Sequence, residues 1–350
     1  MPNPKLTVLT TVFNGERYLE ETIRSILIQD FTDYEYLIVD DGSTDNTPQI
    51  LQRWSERDPR IVVERIPQNV GIARAFNRGL VVARGQYIGL QNYDDICVGP
   101  RLRRQVDQLD SEPDVVLVSA NYTMIDAHGR WAGNCVVENP PPVIAYLLNF
   151  SNAVMGAGPQ GMFRRDMARE LGGFREDVEF SEDYEFWTRL VQRGRIVILP
   201  FVGMKYRLHN QQSSVRYKDL QLSNSLKNSR RMLTAYLDRA LSDDEFIAVA
   251  SIWRREGRTG VAAAGNRVLC EAYARFATTE SNSLHRRRVR QITATQWFSS
   301  AIMLIRLREF VEAARHGGYA VRWHPSGLGV GVVHLAVRMF VRIHRMKLWQ

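Results

Sequence analysis

The chain has 350 residues, 45% hydrophobic and 24% charged, which suits a soluble globular protein with one large α/β domain plus an extension, or with two domains. Its three cysteines, Cys97, Cys135 and Cys270, stand far apart in the sequence, which excludes a zinc spacing and a disulfide framework and points to a reducing compartment. The net charge of +8 is uneven: residues 281–350 carry 12 basic and 2 acidic side chains and the remainder 34 and 36, so the basic character belongs to the C-terminal part.

The opening "MPNPKLTVLTTVF" enters a strand almost at once, with no basic stretch ahead of an apolar core, so no signal peptide is expected. "LTVLTTVF", "YEYLIVD", "IVVERI", "QYIGLQ" and "VVLVSAN" are apolar, β-branched runs that predict strands. Between them, "ERYLEETIRSILIQ" sets Tyr18, Leu19, Thr22, Ile23, Ile26 and Leu27 on one helical face. "TPQILQRWSERD" predicts a helix with a threonine cap and proline at its first helical position. "GIARAFNRGLVVARG" predicts a third helix, closed by Gly85. This alternation predicts a mostly parallel sheet with helices on both faces.

After Asn121, "TMIDAHGRWAGNCVV" predicts a hairpin turning at Asp126 to Gly129. "SEDYEFWTRLVQRG" predicts a helix with an acidic first turn, and "RIVILP" and "GMKYRLH" predict two further strands. From about Tyr217 the pattern is helical, which places a boundary near 215–220 and divides the chain into domains 1–215 and 216–350.

In parallel α/β sheets, ligands sit beyond the carboxyl ends of the strands. "TTVFN", "DDGSTD", "PQNVG" and "QNYDD" follow the first four predicted strands, so all four polar clusters fall at one edge. The sequence has no G-x-G-x-x-G after the first strand and no G-x-x-x-x-G-K-[ST], which excludes a glycine cradle for phosphates. Asp94 and Asp95 therefore have two readings. They can hold a hard divalent cation, Mg²⁺ or Mn²⁺, against a diphosphate, or form an aspartate-rich turn that caps a helix starting near Pro100. Glu182 and Asp183 likewise read either as catalytic carboxylates or as first-turn acids matched to a helix dipole.

Five segments in order resemble the inverting family-2 glycosyltransferases, which have the GT-A fold: "TTVFNGERYLEETIRSIL", "YLIVDDGSTDNT", "NVGIARAFNRGLVVARGQYIGLQNYDD", "GGFREDVEFSEDYEFWTRL" and "YRLHNQQSS". The resemblance covers roughly residues 5–215. It implies a metal-assisted transfer, with inversion, of a sugar from a nucleotide diphosphate sugar, with UDP-sugars favoured, to a glycan or lipid-linked acceptor in cell-surface polysaccharide synthesis. It also implies residue roles. Thr11 and Phe13 match the base-contacting loop, Asp41 with Asp40 beside it the acidic nucleotide contact, and Arg74 a basic position after the third strand. Asp94 and Asp95 match the metal-binding acidic motif; Asn92 replaces its first acidic residue and is grouped with the nucleotide contacts. Asp183 matches the catalytic base, with Glu182 as its alternative, and His209 a histidine near the metal and diphosphate. Trp187 and Trp131 are candidates for stacking on a sugar or for core packing.

The C-terminal run "GLGVGVVHLAVRMFVRIHRMKLWQ" sets His334, Arg338, Arg342 and Arg345 in one helical stripe. It is too short and too charged to span a bilayer, and suits either an anionic membrane interface or packing on the catalytic domain. No nucleic-acid partner is expected, and the expected location is the cytoplasm, extending to the inner face of the membrane. The alternative function is a GT-A scaffold with lost activity, motivated by Asn92.

Overall fold

The computed structural model describes residues 3–154 and 157–324. The predicted stripe from His334 to Arg345 lies outside the described residues. Four strands open the chain, β1 (Leu6–Val12), β2 (Tyr34–Asp41), β3 (Ile61–Ile66) and β4 (Tyr87–Leu90), joined by α1 (Leu19–Leu27), α2 (Thr47–Arg57) and α3 (Ile72–Val82). There follow β5 (Ile96–Cys97), α4 (Arg101–Ser111), β6 (Val115–Asp126), β7 (Trp131–Cys135), α5 (Pro141–Leu147), α6 (Ala157–Gln160), β8 (Met162–Arg164), α7 (Arg165–Glu170), α8 (Glu182–Leu190), β9 (Arg195–Leu208) and α9 (Ser213–Arg216). The chain ends its described course in α10 (Lys218–Leu237), α11 (Asp243–Trp253), α12 (Ala262–Thr279), α13 (Ser283–Arg306) and α14 (Phe310–Trp323).

The strands form one sheet in the order β3-β2-β1-β4-β8-β6-β9-β5, with β7 added to β6. The β3-β2-β1-β4 half is parallel throughout, as the β-α alternation predicts. The other half is mixed: β8 runs antiparallel to both β4 and β6. Alternate residues of each central strand face opposite sides. Val8, Tyr36 and Ile38 join Leu19, Ile23, Trp54 and Leu102 in one core, while Leu9, Leu37 and Val39 join Phe76, Phe174, Phe186 and Trp187 in the other. Trp187 is fully buried, which assigns it to the core and leaves it no sugar to stack on.

Several local expectations change. "RIVILP" and "GMKYRLH" are one strand, β9. Its register against β6 passes from Ala120↔Leu199 to Asn121↔Val202, and Pro200, which has no N–H, sits in the skipped pair of residues. The helix α3 stops at Val82, short of Gly85. Gly85 answers a packing need instead, since a Cβ there would lie 2.2 Å from the Thr7 nitrogen. Thr47 is the first residue of α2, not its cap, and Pro48 is the second: the Thr47 hydroxyl accepts from the Gly15 amide, and Asp45 Oδ1 takes the Thr47 amide. The hairpin stands where predicted: Asp126 Oδ1 accepts from the His128 and Arg130 amides, with Gly129 at φ 81°.

The chain divides into two compact units inside α10: the first runs to Leu148 and from Asn152 to Asn228, and the second takes Asn149–Ser151 and the chain from Ser229. The second unit is helical. Ser242 and Glu245 form a reciprocal cap on α11, and α13 and α14 enclose Trp297, Leu304 and His316. Among the described residues, no helix is long and apolar enough to cross a membrane.

Candidate active site

Because β1, β2, β3 and β4 are parallel, their carboxyl ends share one edge, and side-chain hydrogen bonds knit the loops there together. Asn14, at φ 53°, donates its amide to Ser43 Oγ, and its side-chain oxygen accepts from the Thr44 amide. Thr11 is half-buried at the end of β1, and Phe13 just beyond it is 42% exposed. Asp40 is buried; its Oδ1 accepts from the Ser43 amide, and Arg65 Nε lies 3.6 Å from its Oδ2. Asp41 spends both oxygens on the loop before α3, accepting from the Val70 amide at 2.9 Å and the Gly71 amide at 3.1 Å. Burial pushes its carboxyl above the usual range while those amides pull it back. Gly42 between the two loops has φ 73°, and a Cβ there would lie 2.7 Å from the Asn69 nitrogen, so glycine is required. Arg74, in the first turn of α3, pairs with Glu176 at 2.8 Å and is largely exposed.

The acidic segment after β4 is held from three sides. Thr22 Oγ1 on α1 reaches the carbonyls of Tyr93 and Asp95 at 2.8 and 2.9 Å. Gln91 Nε2 donates to the Asn92 and Asp95 carbonyls, and the buried Arg101 fixes Gln91 from α4. Arg207 on β9, also buried, donates Nε to the Asp94 carbonyl, its backbone N–H to Asp95 Oδ1, and Nη2 to Glu21. Its guanidinium lies over the Tyr18 ring, 4.7 Å from the centroid.

This setting separates the two aspartates. Asp95 is 0% exposed and tied to the β9 backbone, and burial, then the neighbouring Asp94, raises its carboxyl well above the usual range. Asp94 turns the other way, with Oδ2 2.8 Å from His209 Nε2. The His209 ring also tilts against Tyr18 at 5.0 Å. Asn92 stays half-buried at the start of the segment.

The second acidic pair opens α8. Glu182 is 6% exposed; among the described residues its Oε2 accepts no hydrogen bond, and burial first, then the Asp183 charge, raises its carboxyl far above the usual range. Asp183 is half-buried and better served. Its Oδ1 accepts from the Tyr184 amide at 2.6 Å and its Oδ2 from Asn152 Nδ2 at 3.2 Å, while burial raises its carboxyl. A Cβ on Gly158 would lie 2.7 Å from Asp183 Oδ2, so the backbone of α6 approaches the carboxylate closely.

The residues brought together thus include Tyr18 and Arg207, which lie inside the five family-like segments but carry no predicted role there, and Asn152 and Gly158, which lie outside them. The contacts that recruit them span up to 186 residues of chain, as Arg207 to Glu21 does.

The fit to a divalent cation can be judged from the donors. Among the described residues, no three His, Cys, Asp or Glu side chains converge as a metal cage. Asp94 and His209 offer one carboxylate and one imidazole at hydrogen-bond distance, both nearly buried. Two protein donors, with diphosphate oxygens and water completing the shell, would fit a divalent cation held jointly with its substrate.

Residues 7–172 match the model of Glycosyl transferase family 2. An uncharacterized glycosyltransferase of Haemophilus influenzae is 27% identical over 258 residues, covering 71% of this chain and 79% of that protein. The amylovoran biosynthesis glycosyltransferase AmsE of Erwinia amylovora is 28% identical over 207 residues, covering 57% of this chain and 75% of that protein. Among solved structures, S. aureus TarS 1-349 in complex with UDP-GlcNAc superposes with a TM-score of 0.53 at 17% identity, covering 96% of this chain and 92% of that one. The mannosyltransferase PcManGT of Pyrobaculum calidifontis, in complex with GDP-Man and Mn²⁺, superposes with a TM-score of 0.51 at 20% identity, covering 91% and 86%. At these identities the structural likeness shows the fold, a GT-A-type α/β sheet with flanking helices and a helical C-terminal region.

Proposed function

The chain belongs to glycosyl transferase family 2, and from that premise we propose that it moves a sugar, with inversion, from a nucleotide diphosphate sugar to a glycan or lipid-linked acceptor. UDP-sugars are the favoured donors, and the setting is polysaccharide synthesis, in keeping with the amylovoran enzyme among its relatives. The observation that carries this reading is the pairing of Asp94 with His209, 115 residues apart in sequence, at the edge where the parallel strands end.

In this reading Thr11, Phe13, Asp40, Asp41, Asn92 and Arg74 border the nucleotide, with Asp41 acting chiefly through the Val70–Gly71 backbone that it holds. Asp94 and His209 would hold the cation, and Asp95 anchors their loop. A cation bound there would neutralise charge on the departing diphosphate. Asp183 takes the proton of the acceptor hydroxyl as that oxygen attacks the anomeric carbon. The bond to the diphosphate breaks on the opposite face, its electron pair leaves with the nucleoside diphosphate, and the configuration inverts. Glu182, whose Oε2 has no partner among the described residues, is pushed toward its protonated form by burial and by the Asp183 charge, which favours placing the negative charge of the pair on Asp183. The catalytic domain is proposed over 1–215 and the helical region over 216–350, and the basic C-terminal region would hold the enzyme against an anionic membrane on its cytoplasmic face.

Two measurements test this. Calorimetry of UDP, GDP and dTDP, with and without Mn²⁺, should give metal-dependent binding of one nucleotide, and Asp94→Ala or His209→Ala should lose the metal dependence. No binding of any of the three would move the reading to a scaffold. Asp183→Asn should lower transfer by roughly 10²- to 10⁴-fold, the usual contribution of a general base, and leave nucleotide affinity unchanged. Transfer at the wild-type rate would remove Asp183 from the base role.

A further inference from the structure

Phe180 has φ 61°, in the left-handed region that a bulky side chain rarely enters. Such a backbone costs free energy and persists only where its surroundings hold it, which makes it a pointer to function. Here the holding is visible. Asn224 Nδ2 on α10 donates to the Glu179 carbonyl at 2.9 Å, and the hydroxyls of Ser181 and Ser225 lie 3.0 Å apart. The conformation turns the Phe180 ring onto Tyr217, with centroids 4.1 Å apart and planes 9° from parallel. Tyr217 remains 45% exposed, so the stacked pair presents an aromatic surface to solvent.

The position of the pair gives it meaning. Phe180 precedes Asp183 by three residues, a chain reach of at most ~11 Å. Tyr217 ends the segment that leaves His209, where Gln212 accepts from the His209 amide and donates to the Arg207 carbonyl before α9 begins. The stack therefore joins the segment after β9, which carries His209, to the turn that leads into α8, which carries Asp183. An aromatic face is electron-rich, and one face of a hexopyranose presents polarised C–H groups while its rim carries hydroxyls. A half-exposed ring stacked on a residue three positions ahead of Asp183 suits that amphipathic partner.

We propose that Tyr217, backed by Phe180, is the acceptor platform, stacking on the C–H face of a hexopyranose unit of the acceptor so that a hydroxyl of that unit meets Asp183. The proposal rests on the reading of Asp183 as base, and it adds the site and the chemical class of the acceptor group. The test is saturation-transfer NMR on the full chain with UDP and Mn²⁺ present. The probes are methyl glycosides of glucopyranose, galactopyranose, mannopyranose and 2-acetamido-2-deoxyglucopyranose. At least one should be saturated mainly on one ring face. The signal should fall by about fivefold or more in Tyr217→Ala, the scale of one aromatic stacking contact. It should fall equally in Tyr217→Leu, which keeps apolar bulk, and survive in Tyr217→Phe and Tyr217→Trp. Unchanged UDP affinity in the alanine and leucine variants would show that the fold is intact. Saturation of no glycoside, or a signal that Tyr217→Leu leaves untouched, would overturn the platform. Absence of nucleotide binding in the wild type would count against the donor-site reading instead, and the glycoside signals would still judge the platform by themselves.

Discussion

Adjacent carboxyl groups acquire different chemistry here through what each one faces. Asp94 and Asp95 are the same residue type in one loop, yet Asp95 is locked to the Arg207 amide and Asp94 meets His209. Glu182 and Asp183 repeat the pattern: Asp183 has the Asn152 side chain and the Tyr184 amide, while Glu182 buries an oxygen that has no partner among the described residues. The sign of the pH effect follows. A carboxyl whose pKa rises on folding imposes no cost below its unfolded value of about 4.3, because both states are then protonated. Above that value the unfolded chain ionises while the folded one stays protonated, so stability falls as pH rises toward the folded pKa. Glu182→Gln removes this burden. Its melting temperature should exceed the wild type at neutral pH, with the gap closing toward about pH 4. A variant less stable than the wild type at neutral pH would mean that Glu182 is charged and satisfied.

Elements meet at this site through side chains that end one element and begin another. Asp41 closes β2 and, through the Val70 and Gly71 amides, sets the entry to α3. An unsatisfied buried donor costs about 1–3 kcal/mol. Asp41→Ala, which frees both part-buried amides, should lower the urea unfolding free energy by about 1–3 kcal/mol, and Asp41→Asn, with one acceptor oxygen left, by less. Equal stability of Asp41→Ala and wild type would show that water serves those amides. Element by element, the sequence was readable where periodicity was long. The four parallel strands, α1, α2, the hairpin and α8 all stand close to their predicted places. It was unreadable at β8, whose three residues are too few to show a period, although that strand turns the sheet from parallel to mixed. "RIVILP" and "GMKYRLH" read as two strands in the sequence, and pairing with β6 instead joins them into one through an irregularity at Pro200 and Phe201.

At the scale of the molecule, charge is segregated. Residues 281–350 hold a balance of +10 against −2 for the rest. On α13, Arg286, Arg287, Arg288 and Arg290 lie close together near the helix start. If this region meets an anionic membrane, the full chain should sediment with phosphatidylglycerol vesicles at low salt and be released as salt approaches about 1 M, where the Debye length is about 3 Å. Sedimentation that ignores salt, or none at low salt, would remove the electrostatic membrane role.

The sequence by itself determined the β-α alternation and, through it, the single edge on which "TTVFN", "DDGSTD", "PQNVG" and "QNYDD" gather, because a parallel crossover returns every strand to the same end. It determined the carboxylates available there as well. Only the tertiary structure decided which of them meets another side chain and which is spent on the backbone. Arg207, Tyr18, Asn152 and Tyr217 reach their partners across long stretches of chain, and such contacts leave no trace in local periodicity. Burial and hydrogen-bond partnership, which set the charge and direction of each carboxyl group, are properties of the packed chain.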